Sequence, residues 1–181
     1  MGLLLTLSQI CVPEPAKKRE LERLFEASAA AFQTEAPSRA GLSYEDRLRS
    51  FAQFTRSEAE RHLLSKDIRD VKKSLFDGAF QLGKEYRSRF RLKTIDDTMR
   101  MARVIYGLLG IDLRGNVDGD LTVRRCLFSA YYSVEVCKVI SSLDQGLMAG
   151  LSGGCGLSFS ERITDGSKRC RAILDVFGAH P

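Results

Sequence analysis

Residues 121–150 read LTVRRCLFSAYYSVEVCKVISSLDQGLMAG, and the spacing of the hydrophobic residues changes within this stretch. Residues 121–132 put alternate side chains on two faces, which predicts a β-strand. Ser133 can then cap a helix over residues 134–149. The main apolar stripe of this helix is formed by Val136, Ile140, Leu143 and Leu147. A strand followed directly by such a helix predicts that the helix packs back across a sheet.

The segments that follow this helix predict a β-hairpin. A glycine-rich loop, SGGCG, occupies residues 152–156, and residues 157–163 alternate again. Asp165 and Gly166 are typical turn residues, and we predict a return strand over residues 170–177. The two strands and the earlier one are expected to form a small antiparallel sheet.

The first 110 residues indicate helices instead. An apolar stripe within residues 21–32 predicts a first helix, which Pro37 and Gly41 close. Asp67 can cap a long helix, and Gly110 is expected to end another in a left-handed conformation. Three Ser/Thr-x-x-Asp/Glu pairs fit the capping box and predict further helix starts at Ser43, Thr55 and Thr94.

Together these patterns predict an α+β fold, with an N-terminal helical layer followed by a small antiparallel β-sheet and an embedded helix. A chain of 181 residues has the length of one ordinary domain. We therefore expect a single domain over residues 1–181, with residues 1–40 as an N-terminal helical extension. The apolar face of the first helix exceeds what a small sheet needs as cover, so we also expect a homodimer that forms through helices.

Composition and charge exclude several classes of protein. With 44% hydrophobic and 28% charged residues the chain is globular rather than disordered. The net charge of +5 arises from intermixed charges, and the more basic residues 84–93 contain no recognition motif, so we expect no nucleic-acid partner. The start, MGLLLTLSQICV, fits neither a signal peptide nor a membrane span. Five cysteines without an export signal indicate a reducing, cytoplasmic location.

Four of these cysteines lie in the last third of the chain and are the most chemically informative residues. Cys126, Cys137, Cys155 and Cys170 are separated by 10, 17 and 14 residues, and no Cys-x-x-Cys pair occurs among them. The strand-helix-hairpin order predicts that Cys126, Cys137 and Cys170 approach one another. They could line a ligand pocket, or bind zinc or an iron-sulfur cluster. Cys155, in the glycine-rich loop, is expected to be the most exposed and reactive of the four.

Cys137 and Asp144 are the candidate catalytic residues. They are seven residues apart and so lie on nearly the same face of one helix. Cys137 is close to the helix amino end, which favours a thiolate. A packing role for this thiol fits the sequence better, because free cysteine is among the most buried residue types. The candidate ligand contacts are Cys126, Phe128, Tyr132, Cys137 and Met148.

Histidine is scarce, which weakens a hydrolase mechanism based on imidazole. Only His62 and His180 occur, one inside a predicted helix and the other next to the chain end. A small-molecule-binding protein and a hydrolase that uses cysteine therefore both remain compatible with the sequence.

Two stretches carry a resemblance to a known family. The segment CLFSAYYSVEVCKVISSLDQGLMAGLSGG with FSERITDGSKRCRA resembles the cysteine-bearing half of the L-2-amino-thiazoline-4-carboxylic acid hydrolase-like family. Upstream, FTRSEAERHLL and SLFDGAFQLGKEYR resemble the helices that precede that half. The likeness spans residues 54–172 and implies an α+β core over residues 54–177. It also implies a pocket at Cys126, Cys137, Asp144 and Cys170, and opening of a cyclic carbon–nitrogen bond.

The end of the chain is also distantly similar to vinyl-4-reductase type ligand-binding domains. The similarity rests on Gly166 followed four residues later by Cys170. Some members of that group sense small molecules and hold zinc through cysteines. Arg162 stands where those zinc-binding members have a cysteine. This second resemblance implies a small-molecule ligand.

Overall fold

The computed structural model describes residues 12–65 and 67–176. The predicted absence of a signal peptide concerns residues that lie outside this part of the chain, as do Phe177 and His180. No helix in the described ranges combines the length and the hydropathy that crossing a bilayer requires.

Helices dominate the first part of the chain and strands the last, so the predicted α+β fold is confirmed. The sheet is antiparallel throughout, in the strand order β1-β2-β4-β3. Two short 3₁₀ helices follow β2 and β3, at Leu127–Ala130 and Ile163–Asp165. The longer elements are α1 (Glu14–Phe32), α2 (Tyr44–Leu63), α3 (Ile68–Phe90), α4 (Ile95–Leu108), β1 (Ile111–Gly115), β2 (Asp120–Cys126), α5 (Val134–Ser152), β3 (Leu157–Glu161) and β4 (Cys170–Leu174).

Helix α5 is the embedded helix, and it packs on α3 with the two backbones in direct contact. A methyl group added at Gly146 would lie 2.1 Å from the carbonyl oxygen of Phe76, and one added at Gly150 would lie 2.3 Å from that of Phe80. Only glycine permits so close an approach. Asp144 is about 200° around the helix from Gly146, so the side of α5 that carries Asp144 is left free to face the sheet.

The sheet presents one apolar face to α5. Leu113 is opposite Val123 across β1 and β2, and Leu121 is opposite Ala172 across β2 and β4. All four side chains are buried, as expected for residues that share one face of a pleated sheet. Because the sheet and α5 both turn apolar faces inward, the space between them is the natural position for a cavity.

The apolar stripe of α1 is covered within the chain itself. Leu21, Phe25 and Phe32 are at most 2% exposed. The Phe25 ring meets the Phe51 ring edge-on at 4.9 Å, and Phe32 stacks on His62 at 5.7 Å. This stripe therefore offers no surface for the predicted homodimer, and the argument that led from it to a dimer is wrong.

Two of the three predicted capping boxes begin helices. The Ser43 and Thr94 hydroxyls each accept a backbone N–H three residues on, at 3.1 Å. Thr55 instead lies inside α2, where its hydroxyl donates to the Phe51 carbonyl at 2.8 Å. The predicted helix start at Thr55 is wrong, because the apolar face continues unbroken through it. Residue 54, where the resemblance places the start of the α+β core, therefore lies within α2.

The strands are shorter than predicted, and one of them was missed. The strand predicted over residues 121–132 ends at Cys126, where the chain turns into a 3₁₀ helix. β4 ends at Leu174. The missed strand is β1, which is only five residues long and begins directly after Gly110, the residue with a φ of 70° that follows α4. Its alternation is too short to be recognised beside the helix pattern. Helix α5 extends to Ser152, beyond the predicted end at residue 149.

Candidate functional site: a cavity between helix α5 and the sheet

A cavity of about 70 Å³ lies between α5 and the sheet. One water molecule occupies about 30 Å³ of liquid, and pockets for drug-sized ligands measure about 300 Å³ or more. In this conformation the cavity therefore has room for a ligand of only a few heavy atoms. Aliphatic side chains of the sheet form much of its wall, and the functional groups in that wall belong to Tyr106, Cys126, Cys137, Ser141, Asp144, Arg162 and Cys170.

A larger groove, of about 970 Å³, runs along α4 and β1 and is open to solvent. Its charged groups, such as Arg103, Asp112 and Arg125, belong to the protein surface. The cavity brings a carboxyl, a guanidinium and three thiols into a largely apolar enclosure. Convergent polar groups within an apolar enclosure are typical of a ligand site, so we take the cavity as the candidate site.

The three cysteines that were predicted to approach one another all line this cavity. Cys126 ends β2, Cys137 lies in the first turns of α5 and Cys170 begins β4. The pairing of Val123 with Cys170 places β4 beside β2, and residues of α5 line the same cavity as residues of both strands. The strand-helix-hairpin order thus produces the convergence that the sequence indicated.

Two of these thiols are held in their neutral form. Burial raises the pKa of Cys126 to about 12, against smaller opposing effects from the backbone of Ser129 and Phe128. Burial also raises the pKa of Cys170, although the backbone N–H of Ile163 donates to its sulfur at 3.3 Å. Neutral thiols are poor nucleophiles and poor metal ligands. Within the described residues, no group of His, Cys, Asp or Glu side chains could hold a metal ion, so the structure gives no support to the zinc or iron-sulfur site.

Asp144 is the carboxyl group of the site. The Tyr106 hydroxyl donates a hydrogen bond to Oδ1 of Asp144 at 2.8 Å. Burial raises the pKa of Asp144 to about 6, while this hydrogen bond and the charge of Arg162 act in the opposite direction. Its side chain is enclosed by protein yet keeps some surface on the cavity. Near neutral pH this carboxyl can therefore either accept or supply a proton.

Arg162 is the positive group of the site and lacks a full set of partners. Its guanidinium lies over the Phe159 ring at 4.2 Å, just beyond the end of β3. The Nη1 atom is buried and has no hydrogen-bond partner. No salt bridge joins Arg162 to a carboxylate of residues 12–65 or 67–176, Asp144 included. A buried donor left unpaired costs free energy, so a group that accepts its hydrogen bond would stabilise the protein.

The predicted site residues divide into two groups. Cys126, Cys137, Asp144, Met148 and Cys170 all line the cavity. The remaining candidates do not lie in the wall.

Phe128 and Tyr132 belong to the core beside α2. The Phe128 ring meets that of Phe51 at 6.0 Å, and the Tyr132 hydroxyl is 2.6 Å from the Thr55 hydroxyl. The prediction that these two residues contact a ligand is therefore corrected: they do not line the cavity, because the strand that would have directed them inward ends at Cys126. Cys155 is 3% exposed, so the expectation that it is exposed is also wrong.

Sequence reasoning missed Tyr106 and named Arg162 only among six cations near the sheet that could bind a carboxylate or lie on the surface, namely Arg124, Arg125, Arg162, Lys168, Arg169 and Arg171. Tyr106 lies in the apolar stripe of α4, and nothing in its local pattern links it to Asp144 on α5. Arg162 was one of several cations near the sheet, and its neighbours Lys168 and Arg169 are exposed. Strict alternation in β3 would place residue 162 on the outer face with Ser158 and Ser160, and a register shift between Phe159 and Glu161 interrupts that alternation, so no local pattern indicated that Arg162 lines the cavity.

Comparisons of the chain with protein-family models, with curated proteins and with solved structures found no match. What the cavity binds must therefore be inferred from the side chains that surround it.

Proposed function

We propose that this protein binds a small organic acid in the cavity, with the carboxylate of the ligand paired to Arg162. The observation that carries this proposal is the buried Nη1 atom of Arg162, which has no acceptor in the protein. A carboxylate matches the planar, forked geometry of a guanidinium. It would supply both the missing acceptor and a salt-bridge partner.

The other groups of the cavity favour a ligand that also has a hydrogen-bond donor. Asp144 can accept from an amine or ring nitrogen of the ligand, with Tyr106 fixing the orientation of the carboxyl. Thiols and aliphatic side chains would contact the body of the ligand. The resemblance to the thiazoline-carboxylate hydrolase-like family suggests the same class, since an amino-thiazoline carboxylate has a carboxylate, an amine and a sulfur-containing ring.

Calorimetric titration with acetate, propanoate and other carboxylates of only a few heavy atoms tests this proposal. We expect Arg162→Gln to weaken binding at least about 30-fold, because removing one partner of a buried charge pair costs about 2 kcal/mol or more. Arg169→Gln changes the net charge equally at an exposed position of the same connection and should leave affinity unchanged. Equal affinity of wild type and Arg162→Gln for each acid would contradict the proposal.

A second candidate is hydrolysis of a cyclic carbon–nitrogen bond, with Cys137 as nucleophile. One observation favours it: a carboxyl whose pKa is raised to about 6, a suitable value for a general acid or base, lies on the same helix as this thiol. In this case the protein should open the ring of the amino-thiazoline carboxylate, and Cys137→Ala should abolish turnover while ligand binding remains. Turnover that survives Cys137→Ala would exclude this role.

We also propose a cytoplasmic location. Cys126, Cys137, Cys155 and Cys170 are all free thiols, which supports a reducing compartment. Trapping of thiols in intact cells followed by mass spectrometry would test it, since a disulfide between any two of them would contradict the proposal.

A further inference from the structure

A cleft of about 360 Å³ adjoins the cavity. Ser141, Phe159 and Arg162 line both spaces, so these three side chains form the partition between them. Two of the three, the Phe159 ring and the Arg162 guanidinium, stack on each other at 4.2 Å.

The cleft is basic. Lys72 of α3 and Lys138 of α5 line it, and neither forms a salt bridge within the described ranges. The one carboxylate in its wall is Asp165, which already accepts hydrogen bonds from the Ser167 hydroxyl at 2.8 Å and the Arg162 backbone N–H at 3.1 Å. These hydrogen bonds lower the pKa of Asp165 and so keep its charge. Two lysines with no salt bridge among the described residues thus line the same cleft as Arg162.

We propose that the cavity and the cleft are two halves of one site, and that the ligand is a small acid with two anionic groups. This inference rests on the proposed function. The first anionic group pairs with Arg162, while the second remains in the cleft between Lys72 and Lys138. The size of the cavity supports the division, since about 70 Å³ does not enclose a whole diacid. The chemical class is a short dicarboxylate or a carboxylate that also carries a phosphoryl group.

Calorimetric titrations with butanoate, succinate and 3-phosphonopropanoate test this division. All three acids have a short chain with one carboxylate. Butanoate has no second anionic group, succinate has a second carboxylate, and 3-phosphonopropanoate has a phosphonate. We expect each diacid to bind about tenfold more tightly than butanoate, because one exposed ion pair contributes up to about a fivefold change in affinity and the second anionic group would pair with two lysines. The comparison of the two diacids shows whether carboxylate or phosphonate fits the cleft better.

Variants locate the second subsite. The double variant Lys72→Gln/Lys138→Gln should lower the affinity for the diacids about tenfold and leave butanoate unaffected. The matched control is Lys73→Gln/Lys84→Gln, which removes the same charge at two exposed positions of α3 outside the cleft wall. We expect no change for any of the three acids in this control. Added salt should reduce the advantage of the diacids in the wild type.

The outcomes separate this inference from the function on which it rests. Succinate and 3-phosphonopropanoate binding no more tightly than butanoate would overturn the two-part site, while butanoate binding that depends on Arg162 would leave the proposed function standing. Equal weakening of butanoate and the diacids in the double variant would also overturn it. The effect of the lysines would then be a non-specific electrostatic attraction of any anion. Absence of binding by all three acids would overturn both.

Discussion

At the scale of single residues, Asp144 makes stability depend on pH. Its pKa in the folded protein is about 6, above the value of 3.8 for a free side chain. Between these two pH values the folded protein binds more protons than the unfolded chain, so stability decreases as pH rises through this window. We predict that Asp144→Asn, which keeps an oxygen for the Tyr106 hydroxyl, removes this decrease and raises the free energy of unfolding at pH 7 by about 2 kcal/mol.

Urea denaturation of wild type and Asp144→Asn at several pH values between 4 and 7 checks this prediction. The difference between the two proteins isolates Asp144 from other groups that titrate in the same range. Tyr106→Phe is a second comparison, because loss of the hydroxyl donor should raise the pKa of Asp144 in the folded protein further and extend the window to higher pH. A constant difference between wild type and Asp144→Asn across this range would contradict the assignment.

The thiols should differ in reactivity according to their burial. Cys126 has a pKa of about 12 and Cys155 is 3% exposed, so we predict that neither reacts with iodoacetamide in the folded protein at pH 8. Both should react fully in urea. Mass spectrometry of proteolytic peptides gives the extent of alkylation at each cysteine. Rapid labelling of Cys126 in the folded protein would show that the cavity opens to solvent readily.

At the scale of elements, the contact between α3 and α5 depends on glycine. We predict that Gly146→Ala and Gly150→Ala each lower the free energy of unfolding by about 2 kcal/mol or more, because the added methyl group would force the helices apart. Gly107→Ala in α4 is the control, since no atom lies within 4 Å of the added carbon. There the substitution should stabilise the protein by about 0.5–1 kcal/mol. Urea denaturation measures all three, and equal effects would contradict the close contact.

The elements also show how far sequence could lead. The helix caps at Ser43, Thr94 and Ser133 were predictable, because each satisfies amides within four residues of itself. Local pattern failed at Thr55, where a capping motif lies inside a helix that tertiary packing keeps intact. It also failed for β1, which is too short to show its period.

The site was predictable only where chain order determines it. A strand, a helix and a hairpin in sequence bring Cys126, Cys137 and Cys170 together. Tyr106 comes from α4, and its bond to Asp144 depends on how α4 packs against α5, which no local spacing records. The close approach of α3 and α5 was equally hidden, because Gly146 and Gly150 have the same spacing as ordinary helix-face residues.

At the scale of the whole molecule, ligand binding should increase stability by mass action. An acid present at 100 times its dissociation constant should raise the free energy of unfolding by about 2.7 kcal/mol. For a chain of this size the melting temperature should rise by about 5–10 °C. Differential scanning calorimetry with and without succinate checks this, and Arg162→Gln, whose affinity is weakened at least about 30-fold, should show no more than about a third of the increase. An equal increase in both proteins would indicate binding elsewhere.

The assembly of the chain stays a prediction. A homodimer cannot use the apolar stripe of α1, because Leu21, Phe25 and Phe32 are buried within one chain. Sedimentation velocity over a range of concentrations measures the mass in solution. A species near 20.2 kDa at every concentration would reject the dimer.

The backbone contact between α3 and α5 also determines which wall of the cavity can open locally. Helices that meet through glycine have no side chains between them to repack, so their amides should exchange with deuterium only when the whole protein unfolds. β3 is an edge strand with a register shift between Phe159 and Glu161, and it leads into the 3₁₀ turn that begins after Arg162. Amides of residues 157–165 should therefore exchange by local opening, and a bound acid should slow these amides selectively. We therefore expect the cavity to open at the edge strand β3, while the glycine-packed pair of helices α3 and α5 stays fixed.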